Sequence, residues 1–164
     1  MVKIAFIGIG IIGKYMVQNL MKAGYKVSIY TRTKSKAEDV EEVYFGESGI
    51  SRSVKEETYV IDMTTTSPKL AIKIYEEATQ TGIHALDAPV TGGDTGGKNG
   101  TLSILAGGNK EDFEVCQSIF EAMGQTIVYQ GKAGNGQHTK MANQIAIAGT
   151  LAGVCEATRR RRRP

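Results

Sequence analysis

A chain of 164 residues is long enough for one domain with a real apolar core, and 41% hydrophobic with 23% charged residues is the balance of a soluble globular protein. The formal charge of +3 comes from five arginines at 159–163, and without them the body stands at −2, which excludes a basic nucleic-acid-binding surface on the folded part. Cys116 and Cys155 have no metal-ligand spacing, so the composition predicts no metal site and fits a reduced, cytoplasmic chain with no membrane-spanning stretch.

The first element is an apolar run over 2–7 that ends in Gly8-x-Gly10-x-x-Gly13 and passes at once into a helical pattern. Strand, glycine turn and helix in that order suit a nucleotide pyrophosphate. Gly8 allows the tight turn, Gly10 the approach of backbone to phosphate, and Gly13 the packing of helix on strand. The N–H groups of the segment Gly8, Ile9, Gly10, Ile11, Ile12 and Gly13 then face the phosphates at the positive end of the helix dipole. The helix is predicted from about Ile11 to Ala23, with Ile12, Met16 and Leu20 on one face and Gly24 as its C′ residue. A strand over 26–30 completes a βαβ unit with a right-handed crossover.

The end of that strand bears on cofactor choice. A site for NAD places Asp or Glu there to hold the ribose hydroxyls. Here Thr31, Arg32 and Thr33 follow, then Lys34 and Lys36. Hydroxyls and a guanidinium suit a 2′-phosphate, so NADP is expected, with NAD as the alternative; a solvated basic helix start would look the same.

Residues 37–44 read as helix, 46–51 as loop and 52–57 as a short helical turn, with no convincing strand among them. A buried strand is predicted over 59–63. Ser67 as N-cap and Pro68 at N1 start a helix that Gly82 ends, and 83–88 is the next strand. Residues 90–100 read as a long glycine loop and 101–106 as a strand. Asn109 caps a helix that buries Phe113, Cys116, Phe120 and Met123, and 126–129 is the last strand. A long helix then runs to about Ala157, before an arginine tail without structure. The expected architecture is an abbreviated, Rossmann-type doubly wound α/β fold with a mainly parallel sheet and one long C-terminal helix. Its divisions are a cofactor domain at 1–136, a helix at 137–158 and a basic tail at 159–164.

Four blocks stand in register: Gly8-x-Gly10-x-x-Gly13; Thr64-Thr-Thr-Ser-Pro68; Asp87-Ala-Pro-Val-Thr91-Gly92-Gly93 with Gly100-Thr-Leu102; and Gly134-x-Gly136-x-x-x-Lys140-x-x-Asn143. In this order the chain resembles the β-hydroxyacid dehydrogenases, the group of 3-hydroxyisobutyrate dehydrogenases and tartronate semialdehyde reductases. The resemblance implies reversible hydride transfer between a nicotinamide cofactor and a small β-hydroxy acid or semialdehyde. It implies Lys140 as general acid/base, and Thr91, Gly92 and Gly93 as holders of the substrate carboxylate. Asn143 or Gln144 would also hold the substrate, and Thr66 would lie near the nicotinamide. The family has Ser where Thr91 stands. His138 falls in a variable slot and receives no role.

Relatives also carry a strand, helix and strand that the join from Val40 to Glu41 skips, and an all-helical second domain with most of the dimer contacts. Ile145, Ile147, Leu151 and Val154 would then lack a cover, and a homo-oligomer is expected. Two other readings remain beside the dehydrogenase. One is a truncated cofactor-binding module with little turnover, and the other a nucleic-acid binder working through the arginine tail.

Overall fold

The computed structural model describes residues 2–30, 40–47 and 49–161. Its first unit is β1 (Lys3–Ile7), α1 (Gly13–Lys22) and β2 (Lys26–Tyr30). The two strands pair in parallel, with Lys3 opposite Lys26 and Ile7 opposite Tyr30. Helix α1 ends on Gly24, whose φ of 89° would strain a side chain. The Gly24 N–H donates to Met21 O and the Tyr25 N–H to Leu20 O, the paired bonds of a Schellman stop.

Two short helices follow, α2 (Val40–Phe45) and α3 (Ile50–Ser53), then β3 (Tyr59–Asp62), α4 (Pro68–Gln80) and β4 (His84–Asp87). The expected loop over 46–51 therefore ends in helix at Ile50, and residues 37–39 lie outside the described residues. Ser67 caps α4, its hydroxyl accepting from the Leu70 N–H at 3.2 Å, and Pro68 occupies the first helical position. Gly82 repeats the Schellman stop, with Ile83 N–H bonded to Ala78 O.

The stretch expected as a glycine loop is instead the two-residue strand β5 (Val90–Thr91) and the helix α5 (Gly93–Asn99). Helical propensity does not explain α5, which holds three glycines among seven residues. Packing does: a Cβ on Gly97 would press on Ile12 and Tyr15 of α1, and one on Gly96 would lie 3.3 Å from the Leu102 side chain. The buried Asn19 of α1 also donates to Gly97 O at 2.9 Å. Bare backbone is what lets the two helices approach.

The chain closes with β6 (Leu102–Gly108), α6 (Lys110–Glu121), β7 (Gly124–Gly131) and the 27-residue α7 (Asn135–Arg161). Arg159, Arg160 and Arg161 form the last turn of α7, where cations suit the negative end of the dipole. The tail without structure is thus corrected over those three residues; Arg162, Arg163 and Pro164 lie outside the described ones. None of the described helices is long and apolar enough to cross a membrane.

Parallel pairs join β3 to β4 and β6 to β7, while β4–β6 and β5–β6 are antiparallel. The strands form two sheets: β1–β2 by itself, and β3-β4-β6-β5 with β7 beside β6. The second sheet is covered on both faces, as parallel strands require. Successive residues of β4 point to opposite sides, so Leu86 joins the core built by α1, α6 and β6 while Ala85 joins that of α2 and α4. Phe120, Leu102 and Ile104 are fully buried in the first of these.

Helix α7 docks by its first turns only. Gly136, Gln137 and Lys140 are buried, and from Gln144 onward every residue described is exposed. A Cβ on Gly136 would collide with Leu105 O and lie 2.8 Å from Asp87 O. Gly136→Ala is therefore expected to destabilise the chain by about 1–3 kcal/mol through overpacking, read as a lower urea midpoint, whereas Gly149→Ala, in open space, leaves it unchanged or raises it.

Candidate functional site

The turn after β1 takes its shape from its glycines. Gly8 takes φ 89°, and its N–H is used by Tyr30 O at 3.0 Å. A Cβ on Gly13 would lie 2.7 Å from Gly8 O and 3.3 Å from the Phe6 ring, so helix and strand close tightly only around glycine. A Cβ on Gly10 would meet nothing within 4 Å, which leaves open space over that backbone. The N-cap residue, Ile12, offers no side-chain cap. Among the described residues the N–H groups of Gly10, Ile11, Ile12 and Gly13 find no backbone acceptor. Ile9 and Ile11 are exposed, Ile11 at 72%, while Ile12 packs into the core. Free N–H groups at the positive helix end beside open space fit a pyrophosphate. Thr31, Arg32 and Thr33 lie outside the described residues.

The other three blocks meet at the N-terminus of α7. Asp87, at the end of β4, is 4% exposed, and its two oxygens accept from the N–H groups of Gly134 (2.8 Å) and Gln137 (2.9 Å). A β4 carboxylate thus caps the helix across 47 to 50 residues of sequence. Gln137 is fully buried. Its Nε2 donates to Thr64 O at 2.9 Å and its Oε1 accepts from the Thr66 N–H at 3.1 Å. The Thr66 hydroxyl is buried without a partner among the described residues, an orphan that a ligand group could satisfy.

Lys140 lies one turn further along α7 and is 7% exposed. Burial alone pulls its ammonium below the ordinary value of 10.5. Asn143, one turn further again, points its Nδ2 at the Thr91 hydroxyl, 3.4 Å away. Along one side of the helix, therefore, stand a residue bonded to the 64–66 segment, a buried amine, and a residue facing Thr91. Each step is about 4.5 Å along the axis. Gly92 and Gly93 open α5 with φ of 124° and 62°; Gly93 has open space where a side chain would be. Gln144 is exposed, and among the described residues Asn143 is the amide that reaches Thr91.

Two residues that composition and spacing did not single out organise this site: Gln137 and Asp62. Asp62 of β3 stands directly opposite Asp87 in the parallel register. Its Oδ1 accepts from the Thr64 hydroxyl (2.6 Å) and N–H (3.0 Å), and its Oδ2 is buried without a partner among the described residues. The sequence signal for this pair was an acid near the end of each of two consecutive apolar strands.

Comparison with known proteins places the chain in a lineage. The model of the NAD-binding domain of 6-phosphogluconate dehydrogenase matches it in two pieces, residues 3–42 and 36–131. The oxidoreductase YkwC of Bacillus subtilis is 49% identical, over 94% of this chain and 64% of its own length. The 2-hydroxy-3-oxopropionate reductase of Escherichia coli is 34% identical, over 94% of this chain and 63% of its own. The Mycobacterium tuberculosis 3-hydroxyisobutyrate dehydrogenase, solved with L-serine, superposes with a TM-score of 0.86 at 28% identity, covering 96% of this chain and 64% of that one.

The chain spans between 55% and 65% of the curated relatives it matches. In the YkwC match, 185 aligned positions draw on 94% of 164 residues, or about 154, so about 31 positions of the relative face no residue here. The family match breaks between β2 and β3, the point at which the two sheets part.

The two facing carboxyls carry a pH signature. Burial raises Asp62 above 3.8, against two bonds from Thr64 and helped by the nearby Asp87 charge. Burial likewise raises Asp87, against the N–H groups of Gly134 and Gln137. Both bind a proton more readily folded than unfolded, so their charge costs stability above the raised values. That cost is relieved as the pH falls through them toward 3.8. Asp62→Asn is expected to remove part of this dependence. Melting temperatures of the two proteins between pH 4 and 7 should converge on the acid side, and parallel curves would show that Asp62 contributes nothing.

Proposed function

The chain belongs to the family of the NAD-binding domain of 6-phosphogluconate dehydrogenase, and on that premise we propose that it is an oxidoreductase using NADP to oxidise small β-hydroxy acids and reduce the matching semialdehydes. The observation that carries this reading is the buried Lys140 amine, held on α7 between the contacts to 64–66 and to Thr91. When bound, the nicotinamide supplies the hydride acceptor in one direction and the hydride donor in the other. Gly10, Ile11, Ile12 and Gly13 hold the pyrophosphate by backbone N–H groups, while Gly8 and Ile9 shape the turn. The expectation that the Gly8 N–H faces the phosphates is corrected, because it is bonded to Tyr30 O. Thr31, Arg32 and Thr33 are assigned to the 2′-phosphate on chemistry alone.

In the oxidation direction neutral Lys140 takes the hydroxyl proton as the carbon loses hydride; in reduction the ammonium returns a proton to the carbonyl oxygen. Lowering its pKa by burial helps, because an ordinary lysine is almost wholly protonated at neutral pH. Thr91, Gly92 and Gly93 hold the substrate carboxylate by a hydroxyl and backbone N–H groups, with Asn143 supporting the Thr91 hydroxyl and Gln144 at the outer edge. Thr66 stands at the nicotinamide.

Lys140→Met gives a two-sided expectation. The proton is bound less readily in the folded state, so the cost of burying the charge is present in full below the lowered value and vanishes above 10.5. At pH 7 the substitution should raise the melting temperature, while turnover falls about 10²- to 10⁴-fold. The assay is oxidation of a panel of small β-hydroxy acids with NADP and with NAD, alongside NADPH fluorescence titration. Unchanged turnover would remove Lys140 from the mechanism, and absence of any nicotinamide binding would end the oxidoreductase reading.

A second reading is a cofactor-binding module with little turnover. The split of the family match between β2 and β3, with β1 paired to β2 alone among the described strands, favours it. NADPH binding without oxidation of any acid on the panel would select it.

The free part of α7 supports assembly. Ile145, Ile147, Leu151 and Val154 are 50–72% exposed on a helix that has left the body. A homo-oligomer covering them is expected on a sizing column, and Ile145→Lys with Leu151→Lys should shift the peak to monomer.

A further inference from the structure

We propose that Gln137 is a positioning residue that sets the cofactor-side segment 64–66 against the Lys140 helix, so that its side-chain amide governs how the nicotinamide half is held. This rests on the oxidoreductase reading above and adds a residue that the four motifs leave unused. Three observations carry it.

First, the amide is fully buried and its orientation is dictated. The Thr66 N–H can only donate and Thr64 O can only accept, so Oε1 must face the former and Nε2 the latter. No flipped alternative satisfies both groups. Second, the main chain of the same residue is tied elsewhere, its N–H going to the buried Asp87 Oδ2 at 2.9 Å. Asp87 opens the segment that runs to Thr91, Gly92 and Gly93. One residue therefore joins the helix carrying Lys140, the strand end leading to the Thr91 segment, and 64–66. Third, 64–66 is held from its other side by Asp62, through the Thr64 N–H and hydroxyl. Asp62 anchors Thr64, and among the described residues Gln137 is the group that hydrogen-bonds the Thr66 backbone. Losing the amide would free the Thr66 end first, next to the orphaned Thr66 hydroxyl.

The test uses the full chain and two variants. Gln137→Met keeps the volume and removes both amide bonds. Gln137→Glu keeps an acceptor for the Thr66 N–H and, as a carboxylate, loses the donor to Thr64 O. Affinity is measured for NADPH and for 2′,5′-ADP, which carries the adenosine half without a nicotinamide, and amide hydrogen exchange is followed at Thr66. Gln137→Met should weaken NADPH about tenfold, roughly one hydrogen bond's worth. It should leave 2′,5′-ADP within about twofold and speed exchange at Thr66 about tenfold. Gln137→Glu should weaken NADPH less, and if Gln137→Met does not fold it carries the same comparison.

A general loss of structure would weaken both ligands together, and that outcome overturns the proposal, as does unchanged exchange at Thr66. If the wild-type chain binds neither ligand, the oxidoreductase reading fails, and the exchange rate at Thr66 still decides whether Gln137 holds the segment.

Discussion

The contact on which the site depends is the Asp87 carboxylate at the N-terminus of α7. A helix start leaves backbone N–H groups without partners, and a negative charge there is favoured by the dipole as well as by hydrogen bonding. Here the carboxylate comes from the end of β4, so capping the helix also fixes it to the sheet. Gly134 and Gly136 permit the approach, since a Cβ at either would strike α4 or the backbone of β4 and β6. Lys140 and Asn143 inherit their positions from this joint. The cost is a buried charge, visible in the raised pKa values of Asp87 and its neighbour Asp62.

The same joint gathers the site at the second sheet, independently of the first. Strand β1 pairs with β2 and, among the described strands, with no other. Its unit is held to the rest by α1, whose Met16 and Leu20 sit in the core with Leu86, Ile104 and Phe120, and by the Asn19 bond to α5. The glycine turn is local to residues 8–13, and the 64–66, 87–93 and 134–143 segments are gathered at the second sheet. The family match is split between β2 and β3, which lies between these two groups and inside neither.

Much of the fold was legible as pattern. Ser67-Pro68, Asn109, Gly24 and Gly82 mark helix ends where their side chains or positive φ do the capping. The strands at 26–30 and 59–63 were readable as apolar runs of strand length. The helix at 93–99 was not legible, because three glycines argue against helix locally and it exists through close contact with α1 and β6. Gln137 was not legible either. A glutamine in a helix is ordinarily a solvated residue, and only burial against Thr64 and Thr66 makes it a joint.

What the sequence determined by itself was therefore whatever rests on near neighbours: the glycine turn before α1, the caps and stops, and the residue types of each block. Such features act over a few residues, where backbone conformation and hydrogen-bonding options are set by local identity. Tertiary structure decided which of those residues meet. Bringing Asp62 beside Asp87, Gln137 beside Thr66, and Asn143 beside Thr91 spans 25 to 71 positions. It depends on strand register and helix docking, whose energy is shared over the whole core. The burial that lowers the Lys140 pKa is of the same kind, for a lysine's environment is built by residues distant in the chain.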